Sequence, residues 1–138
     1  MLFRSWEVFQ AHINGDPRVH RNFEEIGRIA HAMRQALLSA AWDEVARLLR
    51  EEWRLRKTNA PGITTPLIEK LAAAAAKNGA RGAKVCGAGG GGCVIFLVEP
   101  EARERVAAVL ERNGGQLLDF RVARRGLTLS SPQPRGRR

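Results

Sequence analysis

The most unusual passage of the sequence is a six-residue run in which five residues are glycine: Gly87, Ala88, Gly89, Gly90, Gly91 and Gly92. Each glycine costs conformational entropy on folding, so an ordinary strand connection avoids such a density. Consecutive glycine N–H groups can turn toward one centre and form a concave anion site, and the missing side chains let a phosphate or a second loop come to backbone contact. The run therefore predicts a phosphate-bearing ligand or, as the plainer alternative, a flexible hairpin loop without any ligand.

Two well-known glycine motifs fit this passage poorly. Gly87, Gly89 and Gly92 satisfy a G-x-G-x-x-G string, but the dinucleotide-binding fingerprint must open a helix, whereas an apolar, strand-like run follows here. A Walker-type loop requires Lys and then Ser or Thr after the last glycine, and Cys93 and Val94 stand there instead. Both motifs are excluded by their context.

Two polar residues near the glycine run are candidates for the same site. Lys84 precedes the run by three positions and either lends its charge to an anion at the loop or faces solvent from a strand. Thr64 is placed to reach a substrate hydroxyl, whereas helix capping explains its neighbour Thr65 without any ligand. No catalytic residue is assigned from the sequence.

The remaining reactive side chains give no catalytic or metal-binding pattern. His12, His20 and His31 are scattered, with no carboxylate or cysteine at metal-ligand spacing, so no metal site is expected. Cys86 and Cys93 flank the glycine run and are expected to be buried free thiols.

The first half of the chain is predicted to be helical. An apolar stripe at steps of three and four predicts one helix, and Trp42, Val45, Leu49 and Trp53 predict a second that pairs with it as a hairpin. A short helix precedes both and ends near Asn14. Another starts at Thr65 and Pro66, an N-cap followed by a proline at the first helical position. The stripe of the first helix consists of Val19, Phe23, Ile26, Ala30, Met33 and Leu37.

The second half mixes strands with a helix. Strands are expected around Lys84, over Cys93 to Val98 and at Leu118 to Val122, with a further short one near Leu127. The apolar run from Cys93 to Val98 is expected to be buried on both faces or nearly so. A helix beginning at Pro100 separates the second and third strands. The predicted fold class is α+β, with a small antiparallel sheet covered by helices and a helical N-terminal half.

Length and composition restrict the class of protein. The chain has 138 residues and room for one domain, predicted over residues 1–130, with a basic, disordered tail over residues 131–138. No apolar run approaches the about 20 residues of a membrane span, and no signal peptide opens the chain, so a cytoplasmic protein is expected. The net charge of +9 admits a nucleic-acid-binding or protein-interaction module as the alternative function. Nucleic acid is the less favoured partner, because the basic residues lack interleaved aromatics.

The glycine run and its flanks resemble a known family. The segment from Lys84 to Cys93, with the preceding Asn59-Ala60-Pro61-Gly62-Ile63-Thr64-Thr65-Pro66 and Glu51-Glu52-Trp53, is similar to the C-terminal domain of GHMP-type small-molecule kinases. The likeness is closest to bacterial sugar kinases acting on heptose phosphate and related sugars, and it extends from about Ser5 to Leu129. It implies a ferredoxin-like sheet whose first strand comes from upstream sequence, and a glycine loop at the phosphate and substrate cleft.

The resemblance also implies what this chain lacks. The family carries its phosphate-binding loop, of the form Pro-x-x-x-Gly-Leu-Ser-Ser-Ser, and its usual catalytic acid and lysine in an N-terminal domain, and no such string occurs here. ATP and Mg²⁺ are then expected in the complete kinase, with neither bound tightly by this chain alone. The expected partners are the missing N-terminal half or a second copy of the chain, and a sugar or sugar-phosphate substrate. The isolated chain is expected to be inactive, since phosphoryl transfer needs a phosphate cradle, a divalent metal and a group that orients the nucleophile.

Overall fold

The computed structural model describes residues 3–127. The predicted tail over residues 131–138 and most of the short strand expected near Leu127 lie outside this range. The described elements are five α-helices, two strands and one 3₁₀ turn: α1 (Phe3–Ile13), α2 (Pro17–Leu38), α3 (Trp42–Lys57), α4 (Pro66–Lys77), β1 (Ala80–Val85), β2 (Val94–Val98), the 3₁₀ turn (Pro100–Ala102) and α5 (Arg103–Arg112).

Local capping signals fix the starts of α2 and α4. The carboxylate of Asp16 accepts hydrogen bonds from the backbone N–H groups of Arg18 and Val19, and Pro17 opens α2. The hydroxyl of Thr65 accepts from the N–H of Ile68, with Pro66 at the first helical position of α4. Both arrangements satisfy amide groups that have no partner within their helix. The start of α4 predicted from the sequence is thereby confirmed.

The helical hairpin of α2 and α3 is also confirmed, although its buried stripe differs from the predicted one. Val19, Ile26 and Met33 pack inward as expected, but Phe23 and Leu37 are exposed and the stripe is completed by Asn22, Ile29 and Ala36. Both stripes have helical spacing. They share Val19, Ile26 and Met33, and each remaining residue of one stripe lies one position away from its counterpart in the other. Contact with α3 selects between them.

The two strands form an antiparallel sheet between two helical layers. Val85 lies opposite Val94 and Lys84 opposite Ile95, with a register irregularity between Ala80 and Gly82. Leu97 packs with the core of α2 and α3, whereas Phe96 and Val98 pack with α4 and α5. Because successive side chains of a strand point to opposite faces, the α2–α3 layer covers one face of the sheet and the α4–α5 layer covers the other.

The sheet corrects two expectations. The predicted strand at Leu118–Val122 is wrong: this segment has no strand partner, and Leu118, Phe120 and Val122 are exposed, as is Leu127. The prediction that β2 is buried on both faces is also wrong, because Ile95 is exposed and the rest of the strand is only partly buried. Within the described sheet β2 is an edge strand, and an edge strand leaves one side open to solvent.

Candidate functional site

The glycine loop joins β1 to β2 and has a defined backbone conformation. The N–H of Cys86 donates to the carbonyl of Cys93 over 2.8 Å and closes the base of the loop. All five glycines have a positive φ, from 77° at Gly90 to 147° at Gly91. Side chains other than hydrogen rarely tolerate this region, so the glycine density follows from the path of the backbone.

The middle of the loop is docked on the segment that precedes α4. The N–H of Gly90 donates to the carbonyl of Ile63 over 2.8 Å. A Cβ atom added to Gly89 would lie 2.5 Å from that same oxygen and 2.9 Å from Cγ2 of Ile63. Ile63 is buried in a cluster that includes Trp53 and Val85. The loop is therefore attached to the core, unlike the flexible hairpin that was the plainer alternative.

The two ends of the loop remain open. A Cβ atom added to Gly87 or to Gly92 would meet nothing within 4 Å. Within residues 3–127, the backbone N–H groups of Gly87, Gly91 and Gly92 donate to no protein acceptor, whereas that of Gly90 is already used. The loop thus combines a fixed centre with bare, accessible backbone at either side, the chemistry that an anion-binding loop needs.

Thr64 lies next to the docking residue Ile63 and belongs to a polar cluster. Its hydroxyl donates to Oε1 of Glu69 over 2.7 Å, and Nζ of Lys57 lies 3.1 Å from the same oxygen. The Thr64 hydrogen bond lowers the pKa of Glu69; burial opposes this shift, and Lys57 adds to it. Nζ of Lys57 also stands 5.7 Å from the ring centre of Trp53. Thr64 thus lies beside the loop, and its hydroxyl is engaged as a hydrogen-bond donor to the carboxylate of Glu69.

Lys84 is directed toward α3. Its Nζ lies 2.9 Å from Oε2 of Glu52, an ion pair in which that oxygen has no aligned hydrogen bond. The other oxygen of Glu52 accepts from the guanidinium of Arg56 one turn later on the helix. Glu52 is only 8% exposed, and a buried charge is costly unless opposite charges lie nearby. Lys84 and Arg56 supply those charges. The position of Lys84 differs from both sequence alternatives, the loop anion and open solvent.

A buried amide network stands behind this region and was missed by the sequence reasoning. The side-chain NH₂ of Asn22 donates to the hydroxyl of Thr58 over 2.9 Å and to the amide oxygen of Asn59 over 2.8 Å. Asn22 and Asn59 are both buried. The network joins α2 to the segment that leads to Ile63 and the glycine loop. The predicted stripe of α2 passes through Phe23 and not Asn22, so the spacing of apolar residues gave no signal for this network.

Other reactive groups do not extend the site. Cys86 and Cys93 are free and exposed at the base of the loop, so the prediction of buried thiols is wrong. His12 and His20 stack with ring centres 4.2 Å apart at the junction of α1 and α2. The described residues contain no group of three His, Cys, Asp or Glu side chains that could hold a metal ion.

The fold and the docked glycine loop define a class that the sequence comparisons identify. The family model described as "GHMP kinases C terminal" matches residues 33–116. This match spans more than half of the sequence, and the chain therefore belongs to the GHMP kinase C-terminal family. Helices over a small antiparallel sheet are the α+β architecture expected from the sequence.

Individual relatives agree with the family. The chain is 28% identical over 113 residues to D-glycero-alpha-D-manno-heptose 7-phosphate kinase of Campylobacter jejuni, covering 82% of this chain and 33% of that protein. It is 32% identical over 132 residues to mevalonate kinase of Thermococcus onnurineus, covering 84% of this chain and 39% of that protein. The chain thus spans little more than a third of the length of these relatives.

A solved structure shares the fold. The mevalonate kinase of L. major, determined in complex with R-mevalonate, superposes with a TM-score of 0.68 at 20% identity, covering 77% of this chain and 32% of that structure. No helix within residues 3–127 combines the length and the hydropathy that crossing a bilayer requires.

Proposed function

We propose that this chain forms the C-terminal part of an ATP-dependent GHMP-type kinase for a sugar or sugar phosphate, and that it contributes the glycine loop to the phosphate and substrate cleft. The observation that carries the proposal is the conformation of this loop, which is anchored at Gly89 and Gly90 and bare at Gly87 and Gly92. Preorganised backbone N–H groups stabilise phosphoryl oxygens at no reorganisation cost. A loop of this kind suits a phosphate better than a mobile connection would.

The residues present fit one part of the chemistry. Gly87, Gly91 and Gly92 offer unused N–H groups to phosphoryl or substrate oxygens, and Thr64 stands beside the loop with a hydroxyl for substrate contact. Bound ATP would supply the phosphoryl group, and Mg²⁺ would offset its charge. In this proposal the ligands of Mg²⁺ come from the N-terminal part of the kinase, and Lys84 acts on the loop only by supporting β1 through Glu52.

The proposed partner is the N-terminal part of the same kinase, and the proposed location is the cytoplasm. The free edge of β2 and the exposed apolar segment at Leu117–Val122 both suit a strand supplied by that partner. Such a strand would pair with β2 on one side and with this segment on the other. Without that partner the chain lacks most of a kinase cleft, so it does not turn over alone. Self-association through the same surfaces is the alternative assembly.

Activity measurements test the proposal. The pure chain is incubated with ATP, Mg²⁺ and a panel of sugars, sugar phosphates and mevalonate, alone and after co-expression with a matching N-terminal kinase part. We expect turnover only in the co-expressed sample and with a sugar or sugar phosphate. If mevalonate is the one compound of the panel that is phosphorylated, the proposed sugar substrate is wrong. Steady turnover by the isolated chain would refute its dependence on a partner.

A matched pair of variants tests the role of the loop in the same assay. Gly89→Ala displaces the loop from Ile63 and is expected to lower kcat/KM of the co-expressed kinase by about 100-fold, comparable to the loss of one donor in a preorganised anion site. Gly15→Ala is the control, since Gly15 lies in the turn between α1 and α2, has a similar positive φ and has open space around it. Equal activities in the two variants would contradict the proposed contribution of the loop to the cleft.

A further inference from the structure

A second concave feature of the molecule lies along β1. A groove of about 200 Å³ has α3 as one wall, α4 as the other and residues 80–83 of β1 as its floor. α3 and α4 cover opposite faces of the sheet, and none of the lining residues comes from β2. The groove therefore follows the edge of β1 that is turned away from β2.

The α3 wall carries an excess of positive charge. Arg50, Arg54 and Lys57 are spaced so that they lie on one side of this helix. Lys57 is paired with Glu69, and Arg50 donates to the backbone carbonyl of Arg81. Within residues 3–127 neither Arg50 nor Arg54 has a carboxylate partner, so two guanidinium charges face the groove without compensation.

The other surfaces of the groove are mostly apolar or strand-like. Ala72 and Ala76 lie one turn apart on α4 and form an uncharged stretch of that wall next to Glu69, whose charge is paired with Lys57. The hydrogen bond from Cys86 to Cys93 fixes the alternation of the antiparallel ladder, in which residues opposite each other bond at every second pair. Ala83 falls at a non-bonded pair, so its N–H and C=O turn away from β2 and toward the groove.

We propose that this groove binds an extended segment of a separate polypeptide in which acidic and apolar residues alternate, as an added strand on β1. Its backbone would pair with Ala83, its acidic side chains would face Arg50 and Arg54, and its apolar side chains would lie on Ala72 and Ala76. Addition of a strand to a free sheet edge uses main-chain hydrogen bonds for affinity and alternate side chains for specificity. A small phosphate compound would use neither the strand edge nor the alanine wall, and small-molecule sites usually enclose about 300 to 1,000 Å³.

Fluorescence anisotropy with labelled hexapeptides tests the proposal on the full chain. The probe alternates valine and glutamate, and its control has the same composition with three valines followed by three glutamates. We expect the alternating peptide to bind at least about tenfold more tightly, a difference of about 1.4 kcal/mol. Equal binding of the two peptides would overturn the proposal, because the groove would then attract negative charge regardless of its pattern. No binding of either peptide would overturn it as well.

Three variants locate the binding. Arg54→Glu reverses a charge that has no ion pair to lose, and Ala76→Leu fills the apolar wall with a good helix former. Each is expected to weaken binding of the alternating peptide by at least about tenfold, whereas Arg34→Glu, an exposed position on α2 outside the groove, changes it less than about twofold. Unchanged binding in Arg54→Glu or Ala76→Leu would show that the peptide binds elsewhere. Displacement by inorganic phosphate beyond that caused by chloride at equal ionic strength would also contradict strand addition.

Discussion

Gly89 is the residue on which the position of the glycine loop depends. Alanine there would adopt an unfavourable positive φ of 87° and also press its Cβ against the carbonyl oxygen of Ile63. Left-handed backbone costs about 1 to 2 kcal/mol for a residue with a Cβ, and overpacking adds about 1 to 3 kcal/mol. We expect Gly89→Ala to lower the free energy of unfolding by about 3 kcal/mol, measured by urea denaturation.

Gly87→Ala is the matched control for this prediction. Gly87 has a φ of 82° but open space around its Cα, so its substitution carries the backbone cost alone, about 1 kcal/mol. Equal losses in the two variants would mean that the contact with Ile63 does not hold the loop.

Glu52 is a buried carboxylate whose charge is balanced by Lys84 and Arg56. It is buried between Lys84 and Arg56, and neutralising it leaves two cations facing an uncharged amide. Removal of one member of a buried ion pair costs several kcal/mol, and the partial exposure of Lys84 and Arg56 reduces this. We expect Glu52→Gln to lower the free energy of unfolding by about 2 kcal/mol, measured by urea denaturation.

A surface pair controls for charge removal as such. Glu44 pairs with Arg47 on the exposed side of the same helix, so Glu44→Gln is expected to cost clearly less than Glu52→Gln. Adding Lys84→Met to Glu52→Gln should recover part of the loss, because it removes one uncompensated cation. No recovery in the double variant would contradict the ion pair as the cause.

At the scale of single elements, sequence reasoning succeeded where the signal is local. Thr65 followed by Pro66 specifies the start of α4 through contacts within four residues, and the structure has that start. The stripe of α2 was predicted less well, because periodicity alone does not decide between Phe23 and Asn22. That choice depends on a hydrogen bond to Asn59, 37 residues further along the chain. Non-local partners of this kind leave no trace in the spacing of apolar residues.

The first turn of α4 has a predictable pH dependence. The Thr64 hydroxyl and the Lys57 ammonium favour ionised Glu69 and hold its pKa below the ordinary value of 4.5 in the folded chain. A lowered folded pKa gives a stabilising contribution that is present above that ordinary value and is lost as the pH falls through the folded pKa. We expect the urea midpoint to decrease when the pH is lowered from about 7 to about 3.5. This decrease should be smaller in Glu69→Gln than in the unaltered chain.

Two substitutions at Thr64 separate the causes of this pH dependence. Thr64→Val removes the hydroxyl at nearly constant shape and should reduce the pH dependence, whereas Thr64→Ser keeps the donor and should preserve it. A full pH dependence in Thr64→Val would assign the lowered pKa of Glu69 to Lys57 instead.

At the scale of the whole molecule, the prediction from sequence failed for the segment that follows α5. Leu118, Phe120 and Val122 alternate as a strand should, yet they lie exposed and unpaired. Alternation shows that a segment suits a half-buried strand, but a strand forms only where another strand offers its backbone groups. The described sheet ends at β2, so this segment has no such neighbour within residues 3–127. The same explanation covers the partial exposure of β2.

These exposed apolar side chains predict that the isolated chain associates with itself. Leu117, Leu118, Phe120 and Val122 are exposed, and β2 has a free edge within the described sheet; proteins usually bury features of both kinds in interfaces. We expect light scattering at micromolar concentration to show a dimer or a larger species, and Leu118→Glu with Phe120→Lys to shift the chain to a monomer. Trp42→Lys, an exposed apolar position at the start of α3, is the control and should leave the dimer intact. A monomer in the unaltered chain would contradict this prediction, because the exposed segment would then be tolerated in water without a partner.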